Sequence, residues 1–218
     1  MTKMRDVKHH LTDALLMAYS AGNLPEAFNL VVATHVSMCD ECRARLESFD
    51  SVGGALLDEA QSVALDDGSF AETMRLINSG AVAERVMPKA TKAVLPAPVR
   101  DYVGGDLDKV KWRSIGMGVK QAILPTSKDA SARLLYIPAG TAVPDHGHRG
   151  MELTLVLQGA FVDETDRFGR GDIEIADEAL NHTPIADIGE DCICLAATDA
   201  PLRFNKLIPR MAQPFFRI

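Results

Sequence analysis

The stretch GTAVPDHGHRGMELTLVLQG, residues 140–159, decides how the C-terminal half of the chain is read. In an extended segment His146 and His148 point to the same side, so their imidazoles can grip one ion. Glu152 can reach in from the start of the next strand, after the Arg149-Gly150 turn. His182, downstream of Gly171, can reach in from a later strand. Three His and one Glu suit Zn, Fe, Mn, Co, Ni or Cu, so the donors alone leave the metal open. Around this stretch lie short β-like runs: 110–115, 119–124, 132–137, 153–157, 173–175 and 192–197. Turn residues punctuate them at short intervals, the signature of an all-β sandwich or barrel.

Upstream the period changes. Leu11, Leu15, Leu16 and Tyr19 recur at three- and four-residue intervals, which predicts an amphipathic helix from His9 to about Asn23. Pro25 suits the first turn of a second helix, with Phe28, Val31, Val32 and His35 on one side. Asp40 is a candidate cap for a third, which Gly53-Gly54 interrupts or weakens. A further helical stretch covers 70–77. Pro88, Pro96, Pro98 and Gly104-Gly105 then mark a linker. The division is a helical domain over 1–86, a linker over 87–107 and a β domain over 108–218.

The helical half carries its own donors. His35, Cys39 and Cys42 are separated by four and three residues, so one continuous helix would project all three from one face. Two thiolates and an imidazole are three of the four ligands of a closed zinc site. His10 or its neighbour His9 can supply the fourth from another helix. Such a site staples a small domain, because a helical unit of this size has a limited core.

Composition narrows the function classes. The chain has 218 residues, 47% hydrophobic and 24% charged, with a formal net charge of −7. Residues 1–86 hold 13 acidic against 7 basic residues, the remainder 17 against 16. The acidic excess argues against direct nucleic-acid binding and suits a basic protein partner. No apolar run reaches membrane-spanning length, and the start lacks the apolar core of a secretory signal. A reducing cytoplasm is therefore expected, with Cys192 and Cys194 as free thiols on one strand face, either small buried hydrophobes or a redox pair. Trp112 is expected in the core.

These residues resemble known patterns. Gly140, His146, His148, Glu152 and Gly159 have the spacing of the first cupin motif. Gly171, Asp177, Ala179 and His182 have the spacing of the second, with Asp177, Ala179 and Ala186 where that family usually has Pro, Gly and Asn. The fold this implies is a double-stranded β-helix, or jelly-roll barrel, with the metal inside. His10, His35, Cys39 and Cys42 are similar to the ligands of the zinc-binding anti-sigma domain, which singles out His10 and leaves His9 facing solvent. The two domains in this order resemble the ChrR-type anti-sigma family over nearly the whole chain.

That resemblance implies an anti-sigma factor, not an enzyme. Its helical domain would hold an extracytoplasmic-function-type sigma factor in a 1:1 complex, with the helix over 70–77 helping to wrap the partner. Its cupin domain, carrying zinc or another transition metal as a second centre, would be needed for the response to singlet oxygen. The alternative is a metal-dependent cupin enzyme of dioxygenase or isomerase type with an accessory helical domain. No distinct general base or substrate motif supports it, and it leaves the helical zinc ligands without a role.

Overall fold

A computed structural model describes residues 7–80 and 93–201, together with the backbone of Arg203–Phe204. Thr12 stays extended (φ −71°, ψ 155°) and accepts a hydrogen bond from the Leu15 amide, so helix α1 spans Asp13–Ser20. The helix expected from His9 therefore begins four residues later, and residues 7–11 approach it as a non-helical segment. Helix α2 spans Glu26–Val36 behind Pro25. Helix α3 spans Asp40–Asp58, and its cap is Cys39, whose Sγ accepts from the Cys42 amide at 3.4 Å. Gly53-Gly54 does not break it; those residues lie exposed inside a continuous helix. Two glycines cost about 2 kcal/mol of helix propensity, which lowers stability without forbidding the conformation. Helix α4 spans Ser69–Asn78.

Residues 81–92, which include the start of the stretch read as a linker, lie outside the described residues. Beyond them Leu95 and Val99 are buried, and helix α5, Ala97–Val103, packs against α2. Asp106 organises this approach by accepting from the Val94 and Leu95 amides at 2.9 Å each.

The strands are β1 (Arg113–Gly116), β2 (Val119–Leu124), β3 (Ser131–Ile137), β4 (His146–Gly147), β5 (Glu152–Gln158), β6 (Ala160–Val162), β7 (Arg167–Gly169), β8 (Ile173–Ala176), β9 (Asn181–His182), β10 (Ile185–Ala186), β11 (Cys192–Thr198) and β12 (Arg203–Phe204). They form a six-stranded sheet in the order β1-β2-β3-β11-β5-β8 and two three-stranded sheets, β10-β6-β7 and β12-β4-β9. Every pairing between these strands is antiparallel. This is the jelly-roll arrangement of a cupin barrel. At the β5–β6 turn Gly159 has φ +69°, and a Cβ there would stand 2.6 Å from the Asp191 carbonyl oxygen, so only glycine fits.

Helix α2 covers the outer face of the large sheet. Helix α2 is buried almost all round, through Ala27, Phe28, Leu30, Val31, Val32, Thr34 and His35, and it packs on β3, β5 and β11. Along β11, Ile193, Leu195 and Ala197 join the helical core, while Cys192 and Cys194 join a second cluster with Val156, Phe161 and Phe168. Both faces of β11 are therefore buried, which explains its unbroken apolar run. Glu26 at the start of α2 fastens the layers. Its carboxylate accepts from the Tyr102 hydroxyl at 2.8 Å and from the Ser127 amide at 2.7 Å. Trp112 is half-buried at the edge of this core, its ring edge-on to Tyr136 at 6.0 Å.

The shared core has a measurable consequence. Leu195→Ala should cost about 2–5 kcal/mol in chemical unfolding. Helical circular dichroism and Trp112 fluorescence should be lost in one transition; two separated transitions would show that the halves do not share a core.

Candidate metal centres

The first group gathers at the junction of three segments. His10 comes from the segment before α1, His35 from the last turn of α2, Cys39 caps α3 and Cys42 lies in its first turn. The chain breaks helix at Ser37, so His35 and the cysteines straddle two helices and do not share one helix face. One donor atom from each of the four residues lies within 4.8 Å of the others. His10 Nδ1 is 3.3 Å from Cys39 Sγ and 3.6 Å from Cys42 Sγ, while its Nε2 faces Glu41 at 3.3 Å. A carboxylate on the outer nitrogen is the usual way an imidazole ligand is oriented.

This group fits a zinc ion on two observations. His35 is fully buried, and neither ring nitrogen has a well-formed hydrogen bond, a cost of about 1–3 kcal/mol for each orphaned group. Burial, reinforced by His10, pushes its pKa down to about 4, so it is neutral and ready to donate a lone pair. Burial, with Cys39 alongside, pushes the Cys42 thiol up to about 11. A divalent cation reverses that preference, because a coordinating thiol is deprotonated outright.

The structure brings His10, not His9, to this group. His9 does not face solvent. Its side chain is 22% exposed, its Nε2 lies 3.1 Å from Asp166 Oδ2, and its ring sits 4.3 Å from the Phe168 ring.

The second group lies inside the barrel. Strands β4 and β9 pair with His146 opposite His182, and His148 follows β4. His182 Nε2 is 3.2 Å from His146 Nε2 and 3.4 Å from His148 Nε2, and all three residues are buried. The other ring nitrogens set two of the tautomers. His146 Nδ1 faces the Pro144 carbonyl at 2.9 Å and His182 Nδ1 faces Asp163 Oδ2 at 2.9 Å. An oxygen that can only accept requires the proton on Nδ1, which leaves Nε2 free for a metal. Burial pushes the pKa of His146 and His148 down, with Glu152 opposing, so both favour the neutral form. Three convergent imidazole nitrogens fit a transition metal.

Glu152, the fourth expected ligand, stands beside this trio rather than in it. Its Oε2 is 3.7 Å from His148 Nδ1 and its Oε1 accepts from the Thr154 hydroxyl at 3.1 Å. Sequence reasoning missed two carboxylates behind His182. Asp163 and Glu174 form a donor group with it, and Glu174 Oε1 lies 3.1 Å from Nδ1. Burial pushes Glu174 up to about 7. Hydrogen bonds, Glu174's first, overcome burial and hold the Asp163 carboxyl far below its ordinary value. Burial disfavours a charged His182, yet Glu174 and then Asp163 raise it to about 9, so without a metal its Nε2 also holds a proton, which coordination would displace. The available signal was Glu174 itself, an acidic residue at an inward position of an apolar strand. Asp177 replaces the usual turn-forming proline by its own bonding: Oδ1 accepts from the Ala179 amide at 2.9 Å.

Comparison with known proteins agrees with this layout. The family described as the ChrR cupin-like domain matches residues 101–201. The anti-sigma-E factor ChrR of Cereibacter sphaeroides is 63% identical over 216 residues, covering 97% of this chain and 99% of that protein. The chain belongs to the ChrR family of anti-sigma factors. A crystal structure of Rhodobacter sphaeroides SigE in complex with the anti-sigma ChrR matches with a TM-score of 0.78 and 61% identity, over 88% of this chain and 99% of that one.

As a ChrR-family member the chain is grouped with regulators, not with the enzymes that share the cupin fold. Cys192 and Cys194 fit this setting as packing residues. Their sulfurs touch at 3.5 Å, both are buried, and the contact with Cys192, then burial, raises the Cys194 thiol far above its ordinary value. Thiols buried in apolar surroundings are poorly reactive.

Metal content separates the two centres. Cys39→Ser with Cys42→Ser should remove one equivalent of zinc and leave the barrel site loaded; unchanged total zinc by elemental analysis would refute the N-terminal centre.

Proposed function

We propose that this chain captures an extracytoplasmic-function-type sigma factor of RNA polymerase in a 1:1 complex through its helical domain. Release then follows an oxidative signal, singlet oxygen, received at the cupin domain. The observation that carries the capture reading is helix α4. None of its residues is buried, yet Phe70, Met74 and Ile77 line one face at 78%, 40% and 64% exposure. Val52, Leu56 and Leu57 on the last turns of α3 add exposed apolar surface at 61%, 66% and 74%. Apolar surface of this kind marks a partner site. The complex of the ChrR relative with SigE supports the sigma factor as that partner.

Zinc held by His10, His35, Cys39 and Cys42 would be structural, since two thiolates and two imidazoles close a tetrahedral set. His146, His148 and His182, with Glu152 turning in as the fourth donor, would hold zinc or another transition metal. That ion would supply a Lewis-acidic centre open to a small molecule. Capture is assigned to residues 1–86 and sensing to 108–218, with 87–107 joining them. The expected setting is the cytoplasm, where sigma factors act. No helix among the described residues is long and apolar enough to cross a membrane.

Burying Phe70 and Ile77 against a partner contributes about 1.5–3 kcal/mol each. Phe70→Ala with Ile77→Ala should therefore weaken capture of the co-encoded sigma factor at least ~30-fold, without changing thermal stability. An unchanged Kd by calorimetry would remove α4 from the interface. His148→Ala should capture sigma normally but fail to release it under a singlet-oxygen photosensitiser, read by in vitro transcription. Normal release by that variant would take the cupin metal out of sensing.

A further inference from the structure

His9 is held by the cupin domain, although it neighbours a ligand of the N-terminal centre. Asp172, 5% exposed, accepts from the Lys8 amide at 2.6 Å and the His9 amide at 3.0 Å through one carboxylate oxygen. Its other oxygen accepts from the Gly169 amide at 2.8 Å, which ties the end of β7 to the start of β8. The Ile173 amide donates back to the His9 carbonyl at 3.3 Å. Gly171 sits at φ +93°, where an added Cβ would stand 2.8 Å from Val7 Cγ2, so the Val7 side chain packs directly on the glycine backbone. The segment carrying His10 is thus laid against the β7–β8 turn.

The same stretch of chain, β6 to β8, grips the second centre. Asp163 and Asp166 flank the β6–β7 turn, which is locked internally: Asp163 Oδ1 accepts from the Thr165 amide at 2.8 Å and the Asp166 amide at 3.1 Å. From this rigid turn Asp163 reaches His182 Nδ1 and Asp166 reaches His9 Nε2. Strand β8 repeats the arrangement. Ile173 faces the helices and bonds His9, and the next residue, Glu174, faces inward to His182.

We infer that the β6–β8 segment is a two-ended clamp, in which Asp163 and Glu174 position His182 while Asp172 and Asp166 position the His9–His10 segment, so that the ligand sets of the two centres are coupled. This rests on the reading of both groups as metal centres. Asp172 is the principal anchor of the N-terminal end, because it holds backbone and is buried. Asp166 is 64% exposed and plays the smaller part.

The test uses the full chain loaded with cobalt(II), whose thiolate charge-transfer band reports only the site holding Cys39 and Cys42. The readout is the rate at which EDTA removes that band from wild type, His182→Ala, Asp172→Ala and the double variant. Loss of an outer positioning group lowers metal retention about 10–100-fold, so Asp172→Ala should accelerate loss by that order. Asp172→Asn, which keeps the oxygen that accepts from Lys8 and His9 but sets an NH2 against the Gly169 amide, should recover part of the wild-type rate. His182→Ala, at the far end, should accelerate loss several-fold, and the double variant should be no faster than Asp172→Ala alone. Multiplying effects, or an unchanged rate in His182→Ala, would overturn the coupling. If His182→Ala does not fold, Glu174→Gln perturbs the same end with its shape kept. A chain that binds only one cobalt refutes the metal reading of the barrel alone. The band kinetics still decide the coupling, since His182→Ala removes that end of the clamp with or without an ion.

Discussion

Burial of helix α2 against the outer face of the β3–β11–β5 sheet is the constraint on which the remainder of the molecule depends. It makes one continuous core out of two sequence halves with different periods. It also fixes the C-terminal end of α2, and with it His35, against the cupin domain near Gly171. Because α2 has no solvent face to speak of, its orientation is over-determined, and the helices on either side inherit their places from it. Helices α1 and α3 pack on it and on each other, and the Arg45–Asp13 ion pair joins them at the surface. An exposed pair of that kind contributes little by itself. The helices are held by the shared apolar core.

The sheet is then a wall between two chemically different donor sets. On the helical side are two thiols and two imidazoles, a soft closed set whose hydrogen-bonding needs the protein leaves unmet at His35. On the barrel side are three imidazoles whose outer nitrogens face a carbonyl and carboxylates. The first set suits an ion that stays put and stabilises a fold. The second, backed by carboxylates that tune ligand basicity, suits an ion whose surroundings matter. That difference underlies the proposal of a structural role for one centre and a sensing role for the other.

Much of this was legible in the sequence, for particular reasons. The spacing of Gly140, His146, His148, Glu152 and Gly159 encodes a strand, a turn and a strand, and the structure places β4 and β5 on either side of the Arg149-Gly150 turn. The long strands β2, β3, β5 and β11 have enough residues to display a period. Strands β4, β6, β7, β9 and β10 have two or three residues each, too few for any periodicity to register. The start of α1 was misplaced because Leu11 continues the apolar spacing of the helix while lying outside it, buried in the same core. The break between α2 and α3 was legible at Asp40, a residue of the usual capping set, but the cap itself is the cysteine one position earlier. The role of His9 could not be read locally at all. Its partners Asp166 and Asp172 lie 157 and 163 residues away, and nothing in its neighbourhood distinguishes a docked imidazole from a solvated one.

That long-range contact explains why carboxylates recur along the β6–β8 segment. An aspartate that accepts two successive backbone amides fixes the chain's direction as well as its position, which an apolar contact does not. Asp172 does this for residues 8 and 9, immediately before His10, so the approach of that imidazole to Cys39 and Cys42 is set from the barrel side. Asp163 and Glu174 set His182 from the same segment. On the proposed capture reading, helix α4, with its apolar face unpartnered within the described chain, is the surface that a partner would cover. A partner that closes over α4 and α3 gains surface burial only while the helical domain keeps its shape, and that shape depends on a donor set anchored across the wall. The proposed coupling of sensing to capture therefore needs no moving wire through the core. It needs only that the two donor sets share one rigid support.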